Sequence, residues 1–437
     1  MLKRKIAQQL LDWKNTPHHQ PLIIKGVRQC GKTASVLDFA HRNYAHTVYL
    51  NFFENPQYAS IFQGSLNVDT LIMLLSVQLP DAVFEPGKTV LILDEIQECP
   101  EARTALKFFS LDGRYDVIAT GSLLGVNGYG EPKSIPVGYE QLLPMVPMDF
   151  EEFLWANGIQ ENVIAFLRTC LKKEQMVPEA LHQKMRDLLR LYTIVGGMPA
   201  VVQSFVDRHD LKEVLQLQRN IIHSYEDDMV KYALDRDKSR IRQCFASIPR
   251  QLAKENKKFQ YSVVESRGNA QKFGGSLQWI EDAGIIHRCY NLSLPALPLE
   301  GYAIDNIFKV YMADTGLFIS MLEDGTQADI LNGNLLGYKG AIYENLAADF
   351  LSKMGRKLYY FHKDSGLEID FVIRYKGKAT PLEVKATNGY ARSMKTVLSQ
   401  PERYHITQGI KLADAQLGRD GNLLTLPFYM GFLLTEV

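Results

Sequence analysis

The stretch PLIIKGVRQCGKTASVLDFA, residues 21–40, limits more than any other what this chain can fold into. Within it, Gly26-Val27-Arg28-Gln29-Cys30-Gly31-Lys32-Thr33 fits the pattern G-x-x-x-x-G-K-[ST] at every fixed position. Leu22, Ile23 and Ile24 before it form an apolar run of buried-strand type, and Thr33–Arg42 after it carries Val36, Phe39 and Ala40 at helical spacing. A strand, a glycine-rich turn and a helix in that order point successive backbone N–H groups inward, and the helix N-terminus adds its dipole, so phosphate oxygens are the natural occupant. Gly26, Arg28, Gln29, Cys30, Gly31, Lys32, Thr33 and Ala34 are the expected lining of an ATP site. Lys32 is suited to neutralise the β- and γ-phosphates and the Thr33 hydroxyl to ligate Mg²⁺.

A second run, TVLILDEI (Thr89–Ile96), is a buried strand that ends in two carboxylates. At that place Asp94 would hold the magnesium through water, and Glu95 would orient or deprotonate the attacking water. A third run, Asp116–Ser122 (DVIATGS), is another buried strand, now ending in hydroxyls. Strands alternating with helices, with ligand groups at the strand C-termini, predict an α/β fold with a doubly wound parallel sheet.

With 437 residues the chain exceeds one ordinary core, so further domains are expected. Lys+Arg and Asp+Glu balance at 49 each, which excludes a global basic field of the nucleic-acid-binding kind. Cys30, Cys99, Cys170, Cys244 and Cys289 are scattered, with no C-x-x-C pair, against a disulfide framework or a zinc site and in keeping with a reducing cytoplasm. MLKRKIAQQLLDWKN reads as an amphipathic helix and not a secretory signal. LIMLLSVQLP (71–80) is the nearest approach to a membrane span and is far too short, so a soluble, cytoplasmic protein is expected.

Taken together, GVRQCGKT, LILDEIQ, IATGSLLG, the LLPM-x₃-FEEFL stretch, YTIVGGMPAVV (192–202), FKVYMADTGL (308–317) and YENL…EIDFVI…LEVKA resemble the bacterial and archaeal AAA-like P-loop ATPases that carry a C-terminal domain of unknown function, DUF4143. The resemblance implies a P-loop ATPase core over 1–150, a helical lid over 151–235, a winged-helix-like connector over 236–325 and a PD-(D/E)XK nuclease-like, restriction-endonuclease-type α/β domain over 326–437. In ATPases of this kind the strand beside Asp94 ends in a polar sensor, for which Thr120 and Ser122 are the candidates, and a Gly-x-Pro turn closes the lid, which points to Pro199. Relatives usually carry an arginine where this chain has Tyr139, and no arginine lies between Arg114 and Arg168. That leaves Arg28, Lys133, a lid residue or a second copy in an oligomer to stabilise the transferring phosphate.

Residues 236–288 hold 11 Lys/Arg against 5 Asp/Glu, and 258–292 read as helix, turn, helix and strand. That order suggests a winged helix with Ser276–Asp282 on its second helix and Gly284–Tyr290 opening the wing, with double-stranded DNA as partner. Nearer the C-terminus, Leu367–Arg374 alternates so that Glu368 and Asp370 share one strand face, and LEVKA places Glu383 beside Lys385. The helix GAIYENLAADFLSKM puts Glu344 on an apolar stripe, costly to bury unless paired or coordinating. Helix Glu, strand Asp and strand Glu-x-Lys form the PD-(D/E)XK constellation, in which Glu344, Asp370 and Glu383 would bind Mg²⁺ or Mn²⁺ and Lys385 would activate water. Two functions follow: an ATPase that handles DNA and cuts it, or an ATP-dependent switch whose nuclease-like domain only recognises a partner.

Overall fold

Short runs of branched apolar residues become the strands of the first sheet, and the residues that punctuate them set the helices. The computed structural model describes residues 1–122, 138–233, 237–253, 258–333, 338–386 and 391–435, and the chain divides into two compact units. The first comprises Met1–Val146, Asp228–Lys238 and Asp282–Gly284, and the second Pro147–Asp227, Ser239–Glu281 and Ile285–Val437.

In the first unit the order is α1 (Ile6–Asn15), β1 (Leu22–Lys25), α2 (Lys32–Asn43), β2 (His46–Asn51), α3 (Val68–Gln78), β3 (Thr89–Asp94), α4 (Pro100–Asp112), β4 (Asp116–Gly121) and β5 (Gln141–Pro144). The strands form one sheet in the order β2-β3-β4-β1-β5, every pair parallel. Alternation along the strands sends Ile23, Leu91, Leu93, Val117 and Ala119 into one core with Leu71, Leu75, Ala102, Ala105, Leu106 and Phe109 of α3 and α4. Helix α2 packs on β2, β3 and β4. Helix boundaries follow local chemistry: Pro100 opens α4 and Gly113, at φ 70°, closes it.

The second unit begins with α5 (Phe150–Ala156), α6 (Glu161–Lys173), α7 (Glu179–Val195), α8 (Pro199–Arg208) and α9 (Leu211–Tyr232), whose last turn belongs to the first unit. A capping box starts α5, with Asp149 and Glu152 each accepting from the other's backbone N–H. Next come α10 (Lys238–Leu252), α11 (Tyr261–Val264), α12 (Ala270–Asp282) and the antiparallel hairpin β6 (Ile286–Leu292) and β7 (Ala303–Met312). Ser276–Asp282 therefore lies on α12, and β6 begins at Ile286, with its other edge paired to β8.

The remainder runs α13 (Thr315–Ser320), α14 (Thr326–Asn332), α15 (Lys339–Lys353), β8 (Leu358–His362), β9 (Glu368–Ile369), β10 (Phe371–Tyr375), β11 (Lys378–Lys385), α16 (Arg392–Leu398), α17 (Pro401–Tyr404), β12 (Gly409–Ala413), β13 (Gly418–Asp420) and β14 (Leu423–Pro427). Two sheets result, β7-β6-β8-β9 and β10-β11-β12-β14-β13. The single strand expected over Leu367–Arg374 is broken at Asp370, because Ile369 pairs with Phe361 in one sheet while Phe371 pairs with Leu382 in the other. FYMGFL (428–433) is a fully buried 3-10 segment. No helix among the described residues is long and apolar enough to cross a membrane.

Candidate nucleotide site and C-terminal carboxylate cluster

The loop after β1 is shaped by close approach. A Cβ at Gly26 would come 2.1 Å from the Met145 carbonyl oxygen, so only glycine fits there. Gln29 and Gly31 sit at positive φ, 65° and 94°, and Gly31 is the N-cap residue of α2. Lys32, buried at the start of α2, donates to the carbonyls of Gly26 (2.9 Å) and Val27 (3.1 Å). Ala34 is exposed on the first turn of the helix. Cys30 departs from expectation: its side chain is fully buried, Sγ lies 3.6 Å from the Met145 carbonyl oxygen, and burial raises the thiol pKa.

Strand β4 lies between β1 and β3, so Thr120 reaches the strand that carries Asp94. Asp94 collects donors: Thr33 Oγ1 at 3.0 and 3.2 Å, Thr120 Oγ1, Tyr49 OH at 2.7 Å and the Glu95 backbone N–H at 3.2 Å. Asn51, paired with Asp94 across β2 and β3, adds its amide at 3.5 Å. Burial first, then the bond to Asp94, raises the Tyr49 pKa, which keeps that hydroxyl a donor. A carboxylate held by a threonine of the loop and a threonine of the neighbouring strand suits a hard cation with oxygen ligands. Glu95 is at positive φ, 52°, and its carboxylate accepts from Gln97 Nε2 and from Ser122 Oγ (3.4 Å). The Gln97 side-chain oxygen is buried with no partner, a polar atom left for something the site has yet to receive. Sequence reasoning missed Tyr49, Asn51 and Gln97. The first two act through the register of β2 on β3, which sets Asn51 against Asp94 and which no local pattern shows.

Arg28 forms an ion pair with Asp228, from the last turn of α9. Arg4 donates to the carbonyls of Cys30 (2.8 Å) and Val146 (2.7 Å), and Arg103 forks onto Glu140 at 2.6 and 3.1 Å. Tyr139 stacks under Lys107, 5.3 Å away, while Lys133 lies outside the described residues. Pro199 belongs to the second unit, where it is the first residue of α8.

In the C-terminal half, Lys309 of β7 is the residue that the sequence reading overlooked. It is fully buried, 2.6 Å from Glu368 and 3.7 Å from Glu344. Burial alone would depress its pKa, but Glu344, Glu368 and Asp370 outweigh that and raise it, so the ammonium stays charged. Glu344 also accepts from Tyr311 OH at 3.0 Å, Asp370 from the Val384 N–H at 2.7 Å, and Glu383 pairs with Lys385 at 2.7 Å. Burial, then the charge of Glu344, pushes the Asp370 carboxyl up to about 7. Among the described residues no three His, Cys, Asp or Glu side chains converge as they would around a metal ion. Of the expected ligand set, Glu344 meets Tyr311 and Lys309, Asp370 the Val384 N–H, and Glu383 Lys385, with the Lys309 ammonium lying between Glu344 and Glu368.

The turn between α7 and α8 is held by a second buried ion cluster. Lys353 lies 2.9 Å from Asp349, 3.4 Å from Asp314 and 2.9 Å from Tyr192 OH, and Asp314 accepts from the Gly197 N–H at 2.6 Å.

Residues 18–154 match the family model described as AAA domain. Residues 186–328 match a domain of unknown function (DUF8612) that runs across position 235, and residues 339–429 match a domain of unknown function (DUF4143). No curated protein matches the chain. Among solved structures, a Walker-type ATPase of Pyrococcus abyssi is 14% identical with a TM-score of 0.43, covering 74% of this chain and 96% of that one. AMPPCP-bound DnaA of Aquifex aeolicus is 12% identical with a TM-score of 0.29, covering 64% and 87%. The C. elegans protein PCH-2 is 9% identical with a TM-score of 0.27, covering 51% and 69%. The N-terminal segment thus resembles an AAA-like P-loop domain.

Proposed function

We propose that this chain is an ATP-dependent switch: it binds ATP with Mg²⁺, hydrolyses it slowly, and uses the rest of the chain to engage a partner. The observation that carries the reading is the convergence of Thr33, Asp94 and Thr120 beside the Lys32 loop, with Glu95 and Ser122 next to them. Lys32 exchanges the loop carbonyls for phosphate oxygens, and Thr33 and Asp94 are the residues that would hold the ion. Magnesium, when bound, would supply positive charge to the oxygens of the phosphates on either side of the P–O bond that breaks. Glu95, aimed by Gln97 and Ser122, orients the water and receives its proton. Thr120 fixes the orientation of Asp94.

Lys309 inside the C-terminal carboxylates supports a module that recognises and does not cut, since a resident ammonium already neutralises the charge a catalytic cation would meet. The helical order α10-α11-α12 ahead of a hairpin, and the basic excess of 236–288, favour duplex DNA as the partner. The test is ATP binding and turnover in Mg²⁺, with and without duplex DNA. Lys32→Ala is expected to lose most nucleotide affinity, and Glu95→Gln to bind ATP while turnover falls about 100-fold or more. A Lys32→Ala protein that binds ATP like the parent refutes the assignment. Turnover indifferent to duplex DNA refutes the partner.

A further inference from the structure

A site that hydrolyses a nucleoside triphosphate must present positive charge where the transferring phosphate gathers negative charge, and an arginine there is worth about 10³–10⁵ in rate. Most cations around the loop have other duties. Arg4 holds two backbone carbonyls, and Arg103 is forked onto Glu140. Arg28 is placed differently. It is the third residue of the phosphate-binding motif, and a third of its side chain is exposed while that of its partner Asp228 is 11% exposed.

The surroundings of Asp228 locate the pair. Burial raises its pKa, Arg28 lowers it, and the charge of Glu95, the carboxylate proposed to orient water, raises it again. Phe53, just beyond β2, completes the cluster, with Arg28 5.9 Å and Lys231 4.3 Å from its ring centre. A guanidinium on the phosphate-binding loop, held by a carboxylate, can trade one oxyanion for another.

We propose that Arg28 stabilises the γ-phosphoryl group of a nucleoside triphosphate during transfer, and that Asp228 holds it in reserve until that phosphate arrives. The proposal rests on the nucleotide reading above. In the step it serves, the water oxygen bonds to the γ-phosphorus as the bond to the β–γ bridging oxygen breaks. The electron pair leaves on that oxygen with the diphosphate, and the water proton passes to Glu95. A diphosphate has no γ-oxygens to offer, so it leaves the Arg28–Asp228 pair closed. A triphosphate opens it and strands a largely buried carboxylate, which frees the last turn of α9 to re-pair, with Lys231 one turn on as the nearest cation in sequence. The same arginine would thus serve the chemistry and report which nucleotide is bound.

The test measures ATP and ADP affinity by displacement of a fluorescent ADP analogue, together with single-turnover hydrolysis, in the full chain and in Asp228→Asn, Arg28→Ala and the double variant. Asp228→Asn is expected to tighten ATP by about 5- to 20-fold, the range of an ordinary coupling between sites, with ADP unchanged. Arg28→Ala is expected to slow the single turnover by about 1,000-fold, and in that background Asp228→Asn is expected to have no further effect on ATP affinity. Arg28→Lys, which keeps the charge, should restore part of the rate and shows that the loop still folds. Equal tightening of ATP and ADP, or tightening that survives in Arg28→Ala, would mean that Asp228 merely repels nucleotide and overturns the proposal. Parental turnover in Arg28→Ala overturns it too. Failure of the nucleotide reading looks different: the unaltered chain would not bind the analogue, or Lys32→Ala would bind it equally well.

Discussion

Lys353→Met tests the buried ion cluster of the second unit, and the cost can be worked from its contacts. The Lys353 ammonium is 2.9 Å from Asp349 and 3.4 Å from Asp314, with side chains 2%, 0% and 2% exposed in that order. At an effective dielectric near 20 the two attractions are about 6 and about 5 kcal/mol. Most of that is offset by desolvating three ions, and removing one partner of such a set costs about 3–5 kcal/mol net because the others stay buried unpaired. The pH signature separates charge from packing. Burial alone would lower the Lys353 pKa, but Asp349 and Asp314 raise it, so the lysine is charged throughout the neutral range. Without it, one carboxylate must take up a proton to remain buried, and each unit of pH above its solution pKa then costs about 1.4 kcal/mol more. The variant should lose more stability at pH 8 than at pH 5, and Asp349→Asn added to it should recover much of the loss. Urea denaturation followed by tryptophan emission reads this out, since Trp155 and Trp279 lie in the second unit. A loss below about 1 kcal/mol, or one equal at both pH values, would refute the charge argument and leave packing alone.

Two further outcomes follow from the C-terminal cluster. Asp370 gives up its proton near 7 in the folded chain but near its usual 3.8 when unfolded, so stability falls as pH rises through that window. Asp370→Asn is accordingly expected to raise the melting temperature at pH 8 and to leave it unchanged near pH 4, and a variant less stable at pH 8 would contradict the burial cause. Plasmid DNA incubated with the protein and Mg²⁺ or Mn²⁺, with or without ATP, is expected to stay intact, whereas cleavage that disappears in Lys385→Ala would show that Lys309 does not keep the site from cutting.

The first sheet was legible because its strands are unbroken apolar runs whose C-terminal ends switch abruptly to glycine, carboxylate or hydroxyl. That switch marks the strand ends, so Lys32, Thr33, Asp94 and Glu95 could be proposed from the motifs, and Thr120 and Ser122 from the resemblance. Tyr49 and Asn51 could not. Their role depends on β2 lying beside β3 in a register that sets Asn51 against Asp94, and a parallel register is a tertiary fact with no local signal. The C-terminal strands misled for a related reason. Alternation over Leu367–Arg374 is as regular as a single strand demands, yet Asp370 is where the chain passes from one sheet to the other. Lys309 did carry a signal: one charge inside the apolar run IFKVYM is tolerated only if acids from elsewhere meet it. The reading of Glu344 and Asp370 as metal ligands left this cation out of account.

The same logic bears on the turn at Gly196-Gly197-Met198-Pro199, which the resemblance offers as the turn that closes a lid. Glycine confers freedom only where it has room, and here it has none. A Cβ at Gly197 would come 2.0 Å from the Met148 carbonyl oxygen, and one at Gly316 would come 2.6 Å from Gly196 N and the Val195 carbonyl. The glycines are therefore contact residues: they let the end of α7 and the start of α13 touch backbone to backbone, and Asp314 fixes the contact by accepting from Gly197 N–H and Leu317 N–H. Lys353 of α15 then ties Asp314 to Asp349. Bending at 196–197 would separate these charges and leave the buried Asp314 and Asp349 carboxylates without their donors, which is costlier than moving α7, α8, α13 and α15 together. The motifs YTIVGGMPAVV and FKVYMADTGL are thus two halves of one rigid joint.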